Sequence, residues 1–303
     1  MGREDQFINI SGLSRNFGNT RALKGIDILI DEPGVYGFLG PNGAGKTTTF
    51  KIICALLRPT SGNVEVCGID VFSHTVDAMS RIGVQFDSPA FYPYLTGREN
   101  LRLKKKWLRG YHTLGVEEML ELSGLGSAAS RKVKEYSWGM KQRLSLASAL
   151  ISDPSVLLLD EPTNGLDPAG IAYVRELIPG LAHQQGRAVL LSSHRMEEIQ
   201  QICDRLIIIN RGEIIITGTD ADLRIIEITS GDPDRAEDIL NDMGEVVNLQ
   251  RRNDGTLEVI APNLEVEKLT EELSSGQVPV EKAGEKEFNL EEIFLRLTSE
   301  EEE

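Results

Sequence analysis

The sequence lacks any long run of apolar residues. No stretch approaches the roughly 18 residues that would span a bilayer, and the longer runs, such as 156–159 and 206–209, have the length of buried strands. The first six residues contain no apolar segment typical of a signal peptide. We therefore expect a soluble, cytoplasmic protein rather than a secreted or membrane-spanning one.

Cysteine is scarce as well. The three cysteines, Cys54, Cys67 and Cys203, lie far apart and share no spacing typical of a zinc site or a redox pair. We interpret them as buried free thiols, which fits a reducing compartment. This pattern excludes a small secreted fold held together by disulfides.

Positive charge is scarce in the last quarter of the chain. The 303 residues carry a net charge of −15, and residues 222–303 account for all of it, with 8 Lys and Arg against 23 Asp and Glu. Residues 1–221 carry 24 of each sign. This change in composition predicts a domain boundary near residue 221. Because the acidic part repels polyanions, we expect no nucleic acid among the partners.

The sequence does contain a phosphate-binding loop between a strand and a helix. Residues 35–39 are apolar, a G-x-x-x-x-G-K-T segment follows, and residues 48–53 continue as a helix. Successive backbone N–H groups of such a loop point at one anion, and the helix N-terminus adds partial positive charge. Lys46 is expected to reach the β- and γ-phosphates and Thr47 to hold Mg²⁺. The predicted nucleotide-binding residues of the loop are Gly40, Pro41, Asn42, Gly43, Ala44, Gly45, Lys46, Thr47 and Thr48.

Two acidic residues follow a second apolar strand. Residues 155–159 lead directly into Asp160 and Glu161. A carboxylate at the C-terminal end of a strand, opposite a phosphate loop, is placed to hold Mg²⁺, so Asp160 is a predicted metal ligand. Glu161 is one residue further, where a general base can polarise the water that attacks the γ-phosphate.

These motifs and their order resemble the nucleotide-binding subunits of ABC transporters over residues 1 to about 220. The resemblance implies roles for three further residues. Phe17, upstream of the phosphate loop, matches the aromatic residue that stacks on adenine. Asp167 ends a segment that matches the family's D-loop at the nucleotide. His194 follows the apolar strand 188–191 and matches the switch histidine of the catalytic site.

The segment from Tyr136 to Gln142 occupies the place of the family's signature. Ser137 and Gly139 match the second and fourth positions of the usual Leu-Ser-Gly-Gly-Gln, and the resemblance implies that both contact the γ-phosphate. Trp138 stands where the family has glycine. We expect its side chain to face the permease or the helical subdomain.

Two residues compete for the family's Q-loop position. Ile82 and Gly83 before it, and residues 92–96 after it, place Asp87 in that position, with Gln85 as the alternative. Bacitracin-resistance-like exporters, which this segment resembles, often carry Glu there. The resemblance implies that Asp87 acts in catalysis, at Mg²⁺ or at the attacking water.

The resemblance also implies a fold. We expect an α/β P-loop NTPase in residues 1–221, with a RecA-like core, an antiparallel β subdomain and a helical subdomain at about residues 97–152. Residues 222–303 show predicted elements in β-α-β-β-α-β order, with a hairpin turn at residues 253–255, which indicates a small α+β accessory domain of the ferredoxin-like type. The segment 289–297 resembles the closing helix of exporter subunits.

The expected function is ATP hydrolysis that powers a separate integral-membrane permease, as an exporter. ATP and Mg²⁺ are the expected cofactors, and the resemblance implies a homodimer or heterodimer of cassettes held at the inner face of the membrane by the permease. The alternative is a soluble ABC-type ATPase that acts on a macromolecular assembly, although such relatives usually carry two cassettes or a coiled-coil insertion. A degenerate cassette that binds ATP without cleaving it is disfavoured by Glu161 and His194.

Overall fold

The computed structural model describes residues 6–108, 110–196, 200–219, 222–262, 264–287 and 290–298. These residues form two compact units. The first takes the described residues up to 204 together with 211–213, and the second takes 205–210 and the described residues from 214 onward. Within those ranges, no helix combines the length and the apolar character needed to cross a membrane. The domain boundary near residue 221, which falls outside the described residues, stays a prediction.

The first unit contains strands and helices that alternate along the chain. Its strands are β1 (Ile8–Phe17), β2 (Thr20–Ile30), β3 (Gly34–Leu39), β4 (Ser61–Val66), β5 (Ile69–Asp70), β6 (Ile82–Gln85), β7 (Val156–Asp160) and β8 (Ala188–Ser193). Its helices are α1 (Lys46–Ile53), α2 (Thr75–Ser80), α3 (Gly97–Trp107), α4 (Val116–Leu122), α5 (Trp138–Leu150) and α6 (Pro168–Pro179), with short 3₁₀ turns at Gly126–Ala128 and Val133–Glu135 and a π turn at Gly180–Gln184.

One sheet of this unit has the order β2-β1-β4-β5 and is antiparallel throughout. Along β2, Ile26, Ile28 and Ile30 are buried and alternate with exposed residues, because successive side chains of a strand point to opposite faces. The pairing of Ile8 with Ile30 sets the register of the first two strands and brings their apolar residues to one face.

The other strands of the unit pair in parallel in the order β3-β8-β7-β6. Every residue of β3, β7 and β8 is buried, as expected for strands that are covered on both faces. The apolar runs 35–39, 156–159 and 188–191 are therefore confirmed as core strands, and Ser155 lies just before the second of them. The carboxyl ends of all three meet at one edge of the sheet.

The helices α3, α4 and α5 fall within residues 97–150. Thr96 and Glu99 form a capping box, in which the Thr96 hydroxyl accepts from the Glu99 N–H and the Glu99 carboxylate accepts from the Thr96 N–H at 2.7 Å. Ser137 begins α5 in a similar way, since its hydroxyl accepts from the Met140 N–H at 3.2 Å. The signature segment thus lies at a helix N-terminus.

The second unit contains a ferredoxin-like arrangement. Its elements, in chain order, are β9 (Arg205–Asn210), β10 (Glu213–Gly218), β11 (Ile225–Ser230), α7 (Pro233–Asp242), β12 (Asn248–Arg251), β13 (Leu257–Ile260), α8 (Val266–Ser275), β14 (Val280–Lys286) and α9 (Leu290–Thr298). The antiparallel order β12-β13-β11-β14 confirms the predicted β-α-β-β-α-β unit. α7 and α8 contribute Leu240, Leu269 and Leu273 to its core. The closing helix starts at Leu290, and Asn289 lies outside the described residues.

A buried carboxylate lies on the other face of this sheet. Leu257 and Val259 point into the core, so Glu258 between them points away from it. Its carboxylate accepts from Lys286 Nζ at 3.0 Å and lies 2.7 Å from Arg296 Nη1, and it also pairs with Arg252. Burial opposes its ionisation, but the hydrogen bonds from Lys286 and Arg296 outweigh burial and hold the pKa of Glu258 below its usual value.

Replacing Glu258 by Gln is expected to destabilise the protein at pH 7 by about 1.5–3 kcal/mol, the value of hydrogen bonds to charged groups. The control Glu285→Gln removes an exposed ion pair with Arg224 and should cost less than about 1 kcal/mol. Because the pKa of Glu258 is lowered from 4.5, its contribution is present above pH 4.5 and is lost as the pH falls through the lower value. Urea unfolding as a function of pH measures both effects, and equal losses in the two variants would contradict the prediction.

Candidate functional site

The phosphate-binding loop connects β3 to α1. Two of its glycines have positive φ, +84° at Gly43 and +119° at Gly45, a backbone conformation that favours residues without a Cβ atom. Gly45 directly precedes α1, and its carbonyl accepts from the Thr49 hydroxyl at 3.0 Å. The loop therefore brings the N-terminus of α1, with its unpaired N–H groups and partial positive charge, to the edge of the parallel sheet.

Lys46 is the first residue of α1 and is largely buried. Its ammonium donates to the carbonyls of Gly40 at 2.6 Å and Pro41 at 3.2 Å. Burial lowers the pKa of Lys46, while the nearby Glu161 and Asp160 carboxylates oppose that shift. The result is a desolvated cation, held by backbone carbonyls, at the mouth of the loop.

Asp160 is the last residue of β7 and has only 4% of its surface exposed. One carboxylate oxygen, Oδ2, accepts from the Thr47 hydroxyl at 3.2 Å, and the other, Oδ1, accepts from the Ser192 hydroxyl at 2.5 Å. The carboxylate is thus held between the phosphate loop and β8.

Glu161 follows Asp160 with a φ of +51°, which is strained for a residue with a side chain. Its backbone N–H donates to both the carbonyl and the hydroxyl oxygen of Ser192, at 3.1 and 3.2 Å. Its Oε1 lies 2.9 Å from Nδ1 of His194. Ser192 on β8 therefore holds the backbone of Glu161, and His194, which follows β8, lies beside the Glu161 carboxylate.

These groups line one cavity of about 390 Å³. The described residues that line it are Asn42, Gly43, Gly45, Lys46, Thr47, Thr48, Asp87, Asp160, Glu161, Asn164 and His194. The structure therefore brings together the predicted catalytic and metal-binding residues. Gly40, Pro41 and Ala44 contribute to the loop but are not among those that line the cavity.

Besides these three residues of the loop, four predicted nucleotide-binding residues lie outside this cavity. Phe17 is half exposed in β1, with the Arg15 guanidinium 4.5 Å from its ring centroid. Ser137 and Gly139 lie at the start of α5. Asp167 caps α6, where its Oδ1 accepts from the Gly170 N–H at 2.9 Å. These residues can contact a nucleotide in two ways. A part of the nucleotide, such as the adenine ring, can extend out of the cavity, or the nucleotide can be held in the cavity of a second subunit.

Asp87 and Gln85 have different surroundings. Asp87 lines the cavity, and its Oδ1 accepts from Asn164 Nδ2 at 2.8 Å. Gln85 is buried at the end of β6, where its Nε2 donates to Gln142 Oε1 at 2.6 Å. Gln142 in turn donates to the Asp87 carbonyl at 2.8 Å. Gln85 thus supports the backbone at Asp87 through Gln142 rather than lining the cavity.

Of the two expected surroundings of Trp138, the helical subdomain is wrong, because the side chain contacts residues 164 and 165, and a contact with the permease stays a prediction. Its indole Nε1 donates to the Asn164 carbonyl at 3.0 Å. A Cβ atom on Gly165 would lie 2.4 Å from Trp138 Cδ1, so the ring rests directly on the Gly165 backbone. The reason is that the first turn of α5 lies against residues 164–166, where a glycine with φ of +70° leaves space for an indole.

No individual role was predicted for Ser192, Asn164 or Gln142 from the sequence. A signal for Ser192 was available, because it lies near the carboxyl end of the strand that leads to His194. Its contact with Asp160 depends on the parallel register that pairs these two residues across β7 and β8. The side-chain contacts of Asn164 and Gln142 and the contact of Trp138 with Asn164 join residues that are 26 to 77 positions apart, and periodicity does not reveal them.

The fold and the cavity define a P-loop nucleotide-binding protein. The family model described as ABC transporter matches residues 23–164. The bacitracin transport ATP-binding protein BcrA of Bacillus licheniformis is 34% identical over 295 residues, which cover 96% of each chain. The Nod factor export ATP-binding protein I of Burkholderia lata is 38% identical over 247 residues, 77% of this chain and 80% of the relative.

A solved structure agrees with this assignment. The dimeric post-hydrolysis state of the ATP-binding cassette MJ0796, bound to ADP and Pi, superposes with a TM-score of 0.65 at 25% identity and covers 70% of this chain and 98% of that one. The chain belongs to the family of ABC transporter ATP-binding proteins. It is an ABC-type ATPase whose ATP hydrolysis is coupled to transport.

Replacing Lys46 by Ala is expected to lower ATP turnover by at least about 10²–10³-fold, the cost of removing one charge-stabilising donor at a reacting group. The matched control is Lys51→Ala, since Lys51 is an exposed lysine of the same helix. ATPase assays and binding of a fluorescent ATP analogue measure the effect. Near-parental turnover in Lys46→Ala would contradict the assignment of the phosphate loop.

Replacing Asp87 by Ala is expected to lower kcat more than Gln85→Ala does, because Asp87 lines the cavity and Gln85 does not. Gln85→Ala is expected instead to lower the free energy of unfolding by about 1–3 kcal/mol, since the buried Gln142 amide loses its partner. Steady-state ATPase kinetics and thermal unfolding separate the two effects. The opposite ranking of kcat would mean that Gln85 is the catalytic residue of this loop.

Proposed function

We propose that this chain powers a separate integral-membrane permease and that the assembly is an exporter. The observation that carries the catalytic part of the proposal is the cavity in which the phosphate loop, Asp160, Glu161 and His194 meet. This set of groups fits phosphoryl transfer from ATP to water, a reaction that enzymes catalyse mainly by positioning and by stabilising charge.

ATP binds with its phosphates on the loop. The N–H groups at the start of α1 and the Lys46 ammonium face the β- and γ-phosphates and neutralise part of their charge. Phe17 offers an aromatic face to adenine. The Arg15 guanidinium lies over the ring of Phe17, which supports stacking of the base on the opposite face.

Two side-chain oxygens fit a magnesium ion beside the phosphates. Thr47 Oγ1 and Asp160 Oδ2 lie 3.2 Å apart, and Asp87 offers a further carboxylate in the same cavity. Hydroxyl and carboxylate oxygens are the hard ligands that Mg²⁺ prefers, with substrate phosphates and water completing its shell. When bound, the ion supplies positive charge to the β- and γ-phosphate oxygens.

Hydrolysis proceeds at the γ-phosphate. The Glu161 carboxylate accepts a proton from water as the water oxygen forms a bond to the γ-phosphorus and the bond to the β-phosphate oxygen breaks. His194, 2.9 Å from Glu161, holds that carboxylate in place and contacts the γ-phosphate side of the cavity. The two hydrogen bonds from the Glu161 N–H to Ser192 maintain the strained backbone that aims the side chain.

Two chains close over two ATP molecules. Ser137 and Gly139 lie at the N-terminus of α5, outside their own cavity, and a helix N-terminus with a serine hydroxyl fits the γ-phosphate held by a second chain. The dimeric state described for the cassette MJ0796 supports this arrangement. The second chain is a copy of this one or a related cassette.

The permease and the direction of transport are inferred from relatives. Nod factor export, in the name of the Burkholderia protein, and bacitracin transport, in the name of BcrA, support an exporter. We place the chain at the inner face of the membrane, where the permease senses ATP binding through the region around Asp87 and the helices α3–α5. The near-complete alignment with BcrA favours this function over action on a soluble assembly.

Replacing Glu161 by Gln is expected to slow hydrolysis by about 10²–10⁴-fold, the usual contribution of a general base. ATP binding should survive, because Lys46, Thr47 and Asp160 are unchanged. The slowed protein should form an ATP-dependent dimer, which size-exclusion chromatography detects.

The matched control adds Ser137→Arg to Glu161→Gln, which should weaken the dimer while each chain still binds ATP. Parental hydrolysis in Glu161→Gln would contradict the catalytic role of this residue. A protein that stops hydrolysing but stays monomeric at saturating ATP would leave the catalytic role of Glu161 intact and indicate either a pair with a related cassette or dimerisation that needs the permease.

A further inference from the structure

The first turn of α5 is tied to the D-loop of its own chain, residues 164–167. The Trp138 indole donates to the Asn164 carbonyl at 3.0 Å and lies on the Gly165 backbone. One residue further, a Cβ atom on Gly139 would lie 3.2 Å from Leu166 Cδ2. The hydrogen bond to Asn164 and the contact of the indole ring with Gly165 together hold the start of this helix against residues 164–166.

Asn164 connects that contact to the catalytic cavity. Its backbone N–H donates to the Glu161 carbonyl at 3.1 Å, and its side-chain Nδ2 donates to Asp87 Oδ1 at 2.8 Å. Asn164 therefore contacts three groups: the backbone carbonyl of the proposed base Glu161, the carboxylate of Asp87 and the indole of Trp138.

A second set of hydrogen bonds also connects α5 to the cavity. Gln142, one turn beyond Trp138 on α5, donates to the Asp87 carbonyl at 2.8 Å and accepts from the buried Gln85. The first two turns of α5 are thus attached to the cavity at two points, through Asn164 and through Gln142. A shift of Asp87 or Asn164 must move the N-terminus of this helix or break one of these bonds.

We propose that Trp138 is a positioning residue that, through Asn164, couples the γ-phosphate side of one cavity to the helix start that carries Ser137 and Gly139. This inference rests on the proposed function, in which that helix start serves the ATP held by the other chain. Nucleotide binding in the cavity of one chain thereby determines the position of Ser137 and Gly139 of that same chain, which contact the nucleotide held by the other chain.

The first test uses tryptophan fluorescence. The sequence contains two tryptophans, Trp107 and Trp138, so the full-length Trp107→Phe protein reports on Trp138 alone. Asn164→Ala keeps the carbonyl that accepts from the indole but removes the bond to Asp87. It should shift the emission of Trp138 to the red and raise its quenching by acrylamide, whereas Asn63→Ala, an exposed asparagine elsewhere in the unit, should change neither. Unchanged emission and quenching in Asn164→Ala would overturn the coupling.

The second test is kinetic. Trp138→Phe keeps an aromatic ring on Gly165 but removes the N–H donor, so kcat should fall by about two- to tenfold, the value of one neutral hydrogen bond, with KM for ATP nearly unchanged. A purely structural tryptophan would lower the melting temperature without this split between kcat and KM. Parental kcat in Trp138→Phe overturns the proposal.

A pair of glycine variants separates the ring contact from backbone strain. Gly165→Ala places a Cβ atom 2.4 Å from Trp138 Cδ1, whereas Gly186→Ala meets nothing within 4 Å, and both glycines have positive φ, +70° and +65°. Only Gly165→Ala should lower kcat, and the loss should disappear in a Trp138→Ala background. Equal kcat in the two glycine variants, or an equal loss in both backgrounds, contradicts the proposal.

Failure of this proposal is distinct from failure of the proposed function. Glu161→Gln is assayed beside the other variants in the Trp107→Phe protein. Hydrolysis lost in Glu161→Gln but parental in Trp138→Phe removes only the coupling. Hydrolysis retained in Glu161→Gln contradicts the catalytic site assigned in the proposed function, and the fluorescence comparison, which needs no hydrolysis, still decides whether Trp138 follows the state of Asn164.

Discussion

The parallel pairing of β8 with both β3 and β7 is the constraint on which the site depends. The register of these pairings brings three features to one edge of the sheet: the phosphate loop after β3, Asp160 and Glu161 at the carboxyl end of β7, and Ser192 near the end of β8. Ser192 then fixes the positions of both acidic residues. Its hydroxyl donates to Asp160, and its carbonyl and hydroxyl oxygens accept from the Glu161 N–H. A shift of one residue in β8 would turn Ser192 to the opposite face and release both carboxylates.

Strain at Glu161 and burial at Lys46 are consequences of that arrangement. A non-glycine residue with positive φ costs free energy, and a buried ammonium loses hydration. Both costs are offset locally, by hydrogen bonds to Ser192 and to the carbonyls of Gly40 and Pro41. The cavity is therefore organised by fixed dipoles and charges, which suits a reaction that depends on stabilising phosphate charge.

The second unit is stabilised differently. One face of its sheet is an apolar core under α7 and α8, and the other carries Glu258 among Arg252, Lys286 and Arg296. Arg296 belongs to α9 and Lys286 ends β14, so the carboxylate ties the closing helix to the sheet. The acidic residues of this unit therefore include a buried carboxylate that belongs to a structural ion cluster.

The sequence by itself determined the features that depend on local pattern. Glycine spacing before Lys46, apolar runs that end in acidic residues, and the order of elements in the acidic unit predicted the phosphate loop, Asp160 with Glu161, and the ferredoxin-like sheet, because each reflects backbone freedom or strand burial. Only the tertiary structure decided that Asp87 lines the cavity while Gln85 is buried, and that Trp138 rests on Gly165. These outcomes depend on strand register and on contacts between segments far apart in sequence, which no local periodicity encodes.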